Sequence, residues 1–298
     1  MVGLILVASN TIGALPLLIG MALKSTSSPE IFSQLAANPN DYSVLGFQSN
    51  TLLVMMLFPF IAGLATFVLL VKPLNSRTVT LTINGTGKIR WNRFFISALV
   101  WLGLSVIFYA VYLHLDPENF SVNNRSISLI ILAVISLLLV PFQAAFEEIL
   151  FRGYLMQGFT ALLRNRLFPL IMTSVLFGLM HSLNPEVKEY GFLTMMPQYI
   201  LFGMIFGAIT ILDDGIEAAM GAHAANNTFL CIMVTNRSSA LQTPAMFEQH
   251  NIYPWVELGA LLIVGIVFVF ILKKLFGWKD LSALSGDVLV EKNVSQMP

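Results

Sequence analysis

The stretch that decides the reading runs Gln143-Ala-Ala-Phe-Glu147-Glu148-Ile-Leu-Phe-Arg152-Gly-Tyr-Leu-Met-Gln-Gly-Phe159. It follows an apolar run from Leu129 to Pro141 that only Ser136 interrupts. Two carboxylates and a guanidinium therefore sit at the end of a membrane-type helix. A single charge near the centre of such a helix costs roughly 2.5–3.5 kcal/mol on insertion scales, so three charged groups there need partners and a purpose. On a helix Glu148 and Arg152 are four apart and share a face. Glu147 points about 100° away from Glu148, because the helix turns 3.6 residues per cycle. One carboxylate is thus expected to be held by the arginine while its neighbour faces a cavity.

Composition agrees with a membrane setting. Hydrophobic residues make up 56% of the chain, charged residues only 11%, and the mean hydropathy is +0.79. A soluble domain carries about 25% charge. The 16 basic and 16 acidic residues balance, so nothing points to nucleic acid. The single cysteine, Cys231, rules out an internal disulfide and reads as a small buried hydrophobe.

A spanning helix needs about 20 mostly apolar residues. Eight stretches qualify, at roughly 2–23, 50–71, 94–113, 127–150, 167–181, 192–212, 216–235 and 255–276. The fold class is an all-α polytopic bundle with about eight transmembrane helices. Its parts are N-terminal helices with a cytoplasmic loop (1–113), a catalytic core (127–235), and a last helix with a tail (255–298). The first span is long and lacks a basic leader, so it reads as a membrane helix rather than a signal peptide. Pro16 and Pro59 are expected to kink the first two spans.

Basic residues alternate between connections. Lys72, Arg77, Lys88, Arg90, Arg93, Arg152, Arg164, Arg166, Lys273, Lys274, Lys279 and Lys292 fall on one set. Lys24, Arg125, Lys188 and Arg237 fall on the other. The positive-inside rule then puts both termini in the cytoplasm. Within 73–92, alternation at Thr78–Ile83, a turn at Asn84-Gly85 and a return at Lys88–Trp91 predict a small hairpin. Trp91, Trp255 and Trp278 fall at span ends, as interfacial anchors do.

Two further polar sets lie on apolar helices. Phe177 and His181 are four apart and share a face, with Gly178 allowing a neighbouring helix to approach. His223 and Asn227 are also four apart, among small residues that favour tight packing. An imidazole and a carboxamide side by side suit a developing oxyanion. A glutamate with a histidine on another helix suits activation of water. Counted at 1.5 Å per residue, Glu147 lies about 27 Å down its span and His223 about 10 Å up from the inner face, depths that agree. Taken singly, Arg152 reads as a topology anchor, His181 as a packed histidine and Asn227 as helix–helix glue. Asn184-Pro185-Glu186 reads as a turn.

The three sets, Glu147-Glu148-x-x-x-Arg152, Phe177-x-x-x-His181 and His223-x-x-x-Asn227, resemble the motifs of the CPBP (CAAX protease/Abi) family, which includes the CaaX prenyl endopeptidases. The resemblance implies an intramembrane endopeptidase with its site open to the cytoplasmic side. It implies Glu147 and His181 as activators of water, His223 and Asn227 as the oxyanion hole, and Glu148 and Arg152 as residues that shape the site. The implied partners are a membrane-associated protein or peptide substrate and the lipid bilayer. No cofactor is expected. Zinc is the alternative, on Glu148, His181 and His223, although no His-Glu-x-x-His is present. A non-proteolytic transporter or signalling partner using the same polar cavity is the alternative function.

Overall fold

The computed structural model describes residues 1–28, 30–37, 42–123, 126–286 and 288. Arg125, Lys292 and most of the expected loose tail lie outside the described residues. The chain is a bundle of helices: α1 (Val2–Thr11), α2 (Leu15–Ser27), α3 (Glu30–Ala37), α4 (Ser49–Asn75), α5 (Val79–Ile83), α6 (Trp91–Leu115) and α7 (Ile127–Glu148). A π-helical stretch, Ile149–Met156, leads on into α8 (Gln157–Leu163). Then come α9 (Leu167–Met180), α10 (Pro185–Tyr190), α11 (Phe192–Asp213), α12 (Glu217–Met233) and α13 (Pro254–Phe276). Three short strands, β1 (Phe120–Val122), β2 (Val234–Thr235) and β3 (Phe247–Gln249), form one small sheet in the order β1-β3-β2.

Each of the eight expected spans is helical. Among the described residues six helices are long and apolar enough to cross a membrane: Val2–Thr26, Ser49–Asn75, Trp91–Leu115, Ile127–Leu163, Phe192–Asp213 and Pro254–Phe276. The other two, α9 and α12, have 14 and 17 residues. At 1.5 Å per residue they reach about 21 and 25 Å, short of a hydrocarbon core about 30 Å thick. Many large apolar side chains on the six long helices are exposed, including Leu69, Leu99, Ile130 and Ile263. A bilayer is the solvent such a surface needs.

The two ends of the bundle are built differently. At one end the sheet ties the connection before α7 to the connection between α12 and α13, with Asn123 donating its backbone N–H to Met246 O at 2.9 Å. This is the sheet end. At the other, Ile216 N donates to Ile83 O at 3.0 Å. Arg90 grips the buried Glu217 from Nε (3.1 Å) and Nη2 (2.6 Å), and donates from Nη1 to Asp213 O. Trp278 Nε1 donates to Asp213 Oδ1 at 2.9 Å, so Trp278 is more than an interfacial anchor. Burial opposes the charge on Arg90, but Glu217 and Asp213 outweigh it and raise its pKa. This second end carries the basic connections and is called the basic end.

The expected hairpin is not formed. Residues 79–83 make the short helix α5, capped by Thr78 Oγ1, which accepts from Leu81 N at 3.3 Å. Thr82 and Ile83 are buried, and α5 packs against the π-helical stretch. An isolated hairpin buries too little to hold, whereas one capped turn lays Ile83 into a core with Ile149, Leu150, Ile216 and Met220. The turn at Asn84-Gly85 is present: Asn84 Oδ1 accepts from Thr86 N at 2.7 Å. The chain breaks between α1 and α2, and Pro16 opens the first turn of α2. α4 runs on through Pro59 without interruption, and the carbonyl of Pro59 takes an additional hydrogen bond from Ser9 Oγ at 2.8 Å.

Candidate active site

Glu148 and Arg152 face each other as the spacing requires, Arg152 Nη1 donating to Glu148 Oε1 at 2.9 Å. Both are fully buried. The backbone between them is a π-helix, a wider turn than the α-helix the spacing assumed, and such turns recur at functional sites. Arg152 is held from other sides as well: Nη2 donates to Gly203 O at 3.3 Å, and Cζ lies 4.5 Å from the Phe177 ring centre. This is the environment of a structural counter-charge, not of a residue reaching for lipid headgroups.

His223 meets the pair from α12. Its Nδ1 lies 2.7 Å from the same Glu148 Oε1 that Arg152 engages. A carboxylate beside a guanidinium is an acceptor, so Nδ1 carries the hydrogen. Nε2 is then turned toward Glu147, 3.6 Å from Oε2. With Nδ1 protonated, Nε2 donates only when the ring is an imidazolium. The ring stacks on Phe206, 5.1 Å between centres, which fixes its plane. Gly221 lets α12 come this close: a Cβ there would strike the Phe94 carbonyl of α6.

Glu147 behaves as the free carboxylate. Oε1 accepts from Gln143 Nε2 at 2.7 Å, while Oε2 is buried without a hydrogen-bond partner. Gln143 also binds Asn227, whose Nδ2 donates to Gln143 Oε1 at 3.0 Å. Gln143 is thus a bridge between the two motif helices that the motif reading missed. Its signal in the sequence was its position, one turn before Glu147 on the same face. Asn226 is a second such residue. It donates to Asn227 Oδ1 at 2.9 Å and accepts from Trp101 Nε1 at 3.1 Å.

His181 closes α9. Its Nδ1 lies 2.8 Å from Phe177 O. A carbonyl only accepts, so Nδ1 carries the hydrogen and Nε2 is left with its lone pair. The ring stacks on Tyr199 with 4.4 Å between centres. Tyr199 is hydrogen-bonded to Asn184 and Glu186, so the expected turn Asn184-Pro185-Glu186 also braces the wall behind His181. Gly178 carries the approach of α11, since a Cβ there would lie 2.7 Å from Ile200 Cγ1.

Glu147, His181, His223 and Asn227 all line one cavity of about 550 Å³, together with Gln143 and Asn226. Glu148 and Arg152 lie behind its wall. Cys231 also borders it and is otherwise packed with Leu53, Leu57 and Val140, as a small hydrophobe. Among the described residues no three His, Cys, Asp or Glu side chains are arranged to hold a metal ion. Of the zinc trio considered above, Glu148 Oε1 is engaged by Arg152 and His223, and the Nδ1 of His181 faces its own helix.

A family model described as type II CAAX prenyl endopeptidase Rce1-like matches residues 126–229, which hold all three polar sets. The uncharacterized protein YyaK of Bacillus subtilis (strain 168) is 32% identical over 202 residues, 67% of each chain. The chain belongs to the Rce1-like family. No solved structure matches it. Membership implies an intramembrane CAAX-type endopeptidase, an integral membrane protein whose substrates are membrane-embedded peptides. In this Rce1-like chain the family match ends just beyond Asn227, so the sheet-end loop after α12 lies outside it.

Proposed function

We propose that the chain hydrolyses peptide bonds of membrane-associated proteins with Glu147 as general base and no metal. The observation that carries this reading is the pairing of an unsatisfied Glu147 Oε2 with His223 Nε2 at 3.6 Å on the wall of a cavity that also holds His181 and Asn227. A water held by Glu147 and the free Nε2 of His181 is the nucleophile. Glu147 takes its proton as the oxygen attacks the scissile carbonyl, and returns a proton to the departing amine. The carbonyl oxygen gains charge and is met by two donors, the imidazolium Nε2–H of His223 and the second N–H of Asn227. Donors fixed before the reaction cost no reorganisation when the charge appears.

Glu148 and Arg152 act behind this machinery. The carboxylate holds His223 by Nδ1, while Arg152 supplies the counter-charge beside Glu148. The test is peptide profiling by mass spectrometry of membranes containing the wild-type chain or Glu147→Gln. Peptide ends that appear only with the wild type support the reading. Identical profiles would return the cavity to a non-proteolytic role.

A further inference from the structure

We propose that the cavity holds a second polar site, built from Gln198, Gln249 and Glu257, that binds a cationic side chain of the substrate roughly three or four residues from the bond that is cut. The inference rests on the preceding reading in taking Glu147 and His223 as the reacting centre.

One wall of the cavity connects the two places. On α11, Gln198, Phe202 and Phe206 follow one another at four-residue steps, share a face and all line the cavity. Phe206 stacks on His223. From Gln198 to Phe206 the helix rises about 12 Å. On α13, Glu257, Leu261 and Val264 line the cavity at helical spacing, and Gln249 lines it from β3. An extended peptide advances about 3.3–3.6 Å per residue. A side chain seated beside Gln198 therefore belongs to a residue about three or four positions from the one held at His223.

Glu257 is a carboxylate with neutral neighbours. Its Oε1 accepts from Gln249 Nε2 at 3.2 Å, and Gln198 is its other polar neighbour. Gln249 is only 3% exposed and is fixed in place, its backbone paired with Phe120 in the sheet. Its Nε2 is also directed at Asn251 O at 3.0 Å and Tyr112 Oη at 3.4 Å. An amide has two N–H donors, so three acceptors compete for them and Glu257 receives only a share. Gln198 adds another acceptor, since its Oε1 is buried without a hydrogen-bond partner. No lysine or arginine is among the described residues that line the cavity.

A cation carried by the occupant supplies what this wall lacks. An ammonium or guanidinium brings several N–H donors and no acceptor, so it serves the carboxylate and the amide oxygen together. Such charge-assisted bonds are about twice as strong as neutral ones. The place of Glu257 in the first turn of α13 suits the helix dipole. The dipole explains a carboxylate at that position, but not one that faces a cavity without a counter-charge. Glu186 is a further carboxylate on the lining. Its Oε1 is engaged by Tyr199 and Asn184, whereas its Oε2 is buried and unpartnered, so it enters the test as the competing partner for a cation. The family match over 126–229 includes Gln198 but neither Gln249 nor Glu257, so the site lies outside the three motifs.

The first readout does not need cleavage. Ser105→Cys in a Cys231→Ala background places one thiol on the cavity wall, away from the chemistry. The purified protein in detergent is treated with trimethylammonioethyl methanethiosulfonate and, separately, with its anionic sulfonatoethyl counterpart. The cation-to-anion ratio of rates, divided by the ratio for a free thiol in solution, is expected to be roughly tenfold. Glu257→Gln should lower it severalfold, and Glu186→Gln should leave it nearly unchanged. A ratio at or below one with Glu257 in place overturns the proposal, whether or not Glu257→Gln accumulates. A ratio that Glu257→Gln does not change, or that Glu186→Gln lowers as much, overturns it too. The second readout is cleavage of peptide pairs that carry lysine or glutamine at each position around the bond identified by membrane profiling. Lysine roughly three or four residues away is expected to lower KM about tenfold, and Glu257→Gln to remove that advantage with kcat unchanged. An advantage that survives Glu257→Gln overturns the proposal. Failure to cleave any peptide counts against the protease reading, and the labelling ratio then decides the cation site by itself.

Discussion

Gln143 donates to Glu147 across one turn of α7, Nε2 to Oε1, at 2.7 Å. The same amide accepts from Asn227 on α12 at 3.0 Å. One neutral side chain thus sets the position of both the proposed base and a proposed oxyanion donor. A hydrogen bond to a charged group is worth about 1.5–3 kcal/mol. Gln143→Met keeps the length and removes both bonds. It is expected to lower kcat about 10- to 100-fold with KM little changed, a ratio that follows at about 1.4 kcal/mol per tenfold. Steady-state kinetics on vesicles would show it. Wild-type kcat in Gln143→Met would make the bridge a packing detail.

Arg152 is predicted to matter for stability before activity. It is fully buried, bound to Glu148 and Gly203 O, and faced by Phe177. Arg152→Ala leaves a buried carboxylate without its counter-charge, a loss of about 3–5 kcal/mol. The measured sign is a lower unfolding temperature in detergent together with lost cleavage. Arg152→Lys should rescue poorly, because a compact ammonium cannot serve Glu148 and Gly203 O at once. Lysine matching arginine in both readouts would mean that only the charge is used.

How much of this was legible in the sequence depends on what each feature rests on. Helix periodicity and apolar length are local, so all eight helical segments could be read, and so could the shared faces of Glu148 with Arg152 and of His223 with Asn227. The expected bounds 167–181 already matched the 14 residues of α9, and α12 is three residues shorter than the expected 216–235 because its ends pass into short connections. The segment 78–83 alternates like a strand, but its fate was decided by the surface available to it, a long-range fact. The π-helix after Glu148 leaves no compositional mark. Gln143 was overlooked for a different reason: amides in apolar helices are common, and only the arrival of Asn227 from 84 positions away gives this one a task. The cavity takes its lining from eight helices, α4, α6, α7 and α9 to α13, and so has no counterpart in any one motif.

Asn227→Ala tests the oxyanion assignment. Removing one such donor costs about 100- to 1000-fold in turnover. If Asn227 meets charge only in the transition state, kcat falls and KM is unchanged. The Gln143 bridge sharpens the test. Asn227→Asp keeps the volume but sets a carboxylate facing Gln143 Oε1 in place of the donor, so it should be at least as damaging as alanine. A change confined to KM in both variants would assign Asn227 to substrate binding.

The strongest prediction concerns Glu147 and the absence of a metal requirement. Oε2 of Glu147 is buried without a hydrogen-bond partner and Glu147 borders the cavity, whereas Glu148 lies behind the wall, its Oε1 held by both Arg152 and His223 and its Oε2 also unpartnered. If Glu147 is the base and Glu148 its support, as proposed, their glutamine variants should differ in kind. Glu147→Gln retains an oxygen at the Gln143 contact if its amide is turned correctly, so folding should be close to normal while cleavage falls to background. Glu148→Gln weakens the hold on both Arg152 and His223, so it should lose thermal stability as well as activity. If a metal were required instead, phenanthroline would abolish cleavage and added zinc would restore it. The decisive measurement is cleavage by the purified protein in lipid, with metal content determined on the same sample and with both variants alongside. Stoichiometric zinc with reversible chelator inhibition would overturn the metal-free mechanism. Full activity in Glu147→Gln would remove this carboxylate from the chemistry. Equal loss of stability in the two variants would mean that the pair acts as one structural unit rather than as a base and its support.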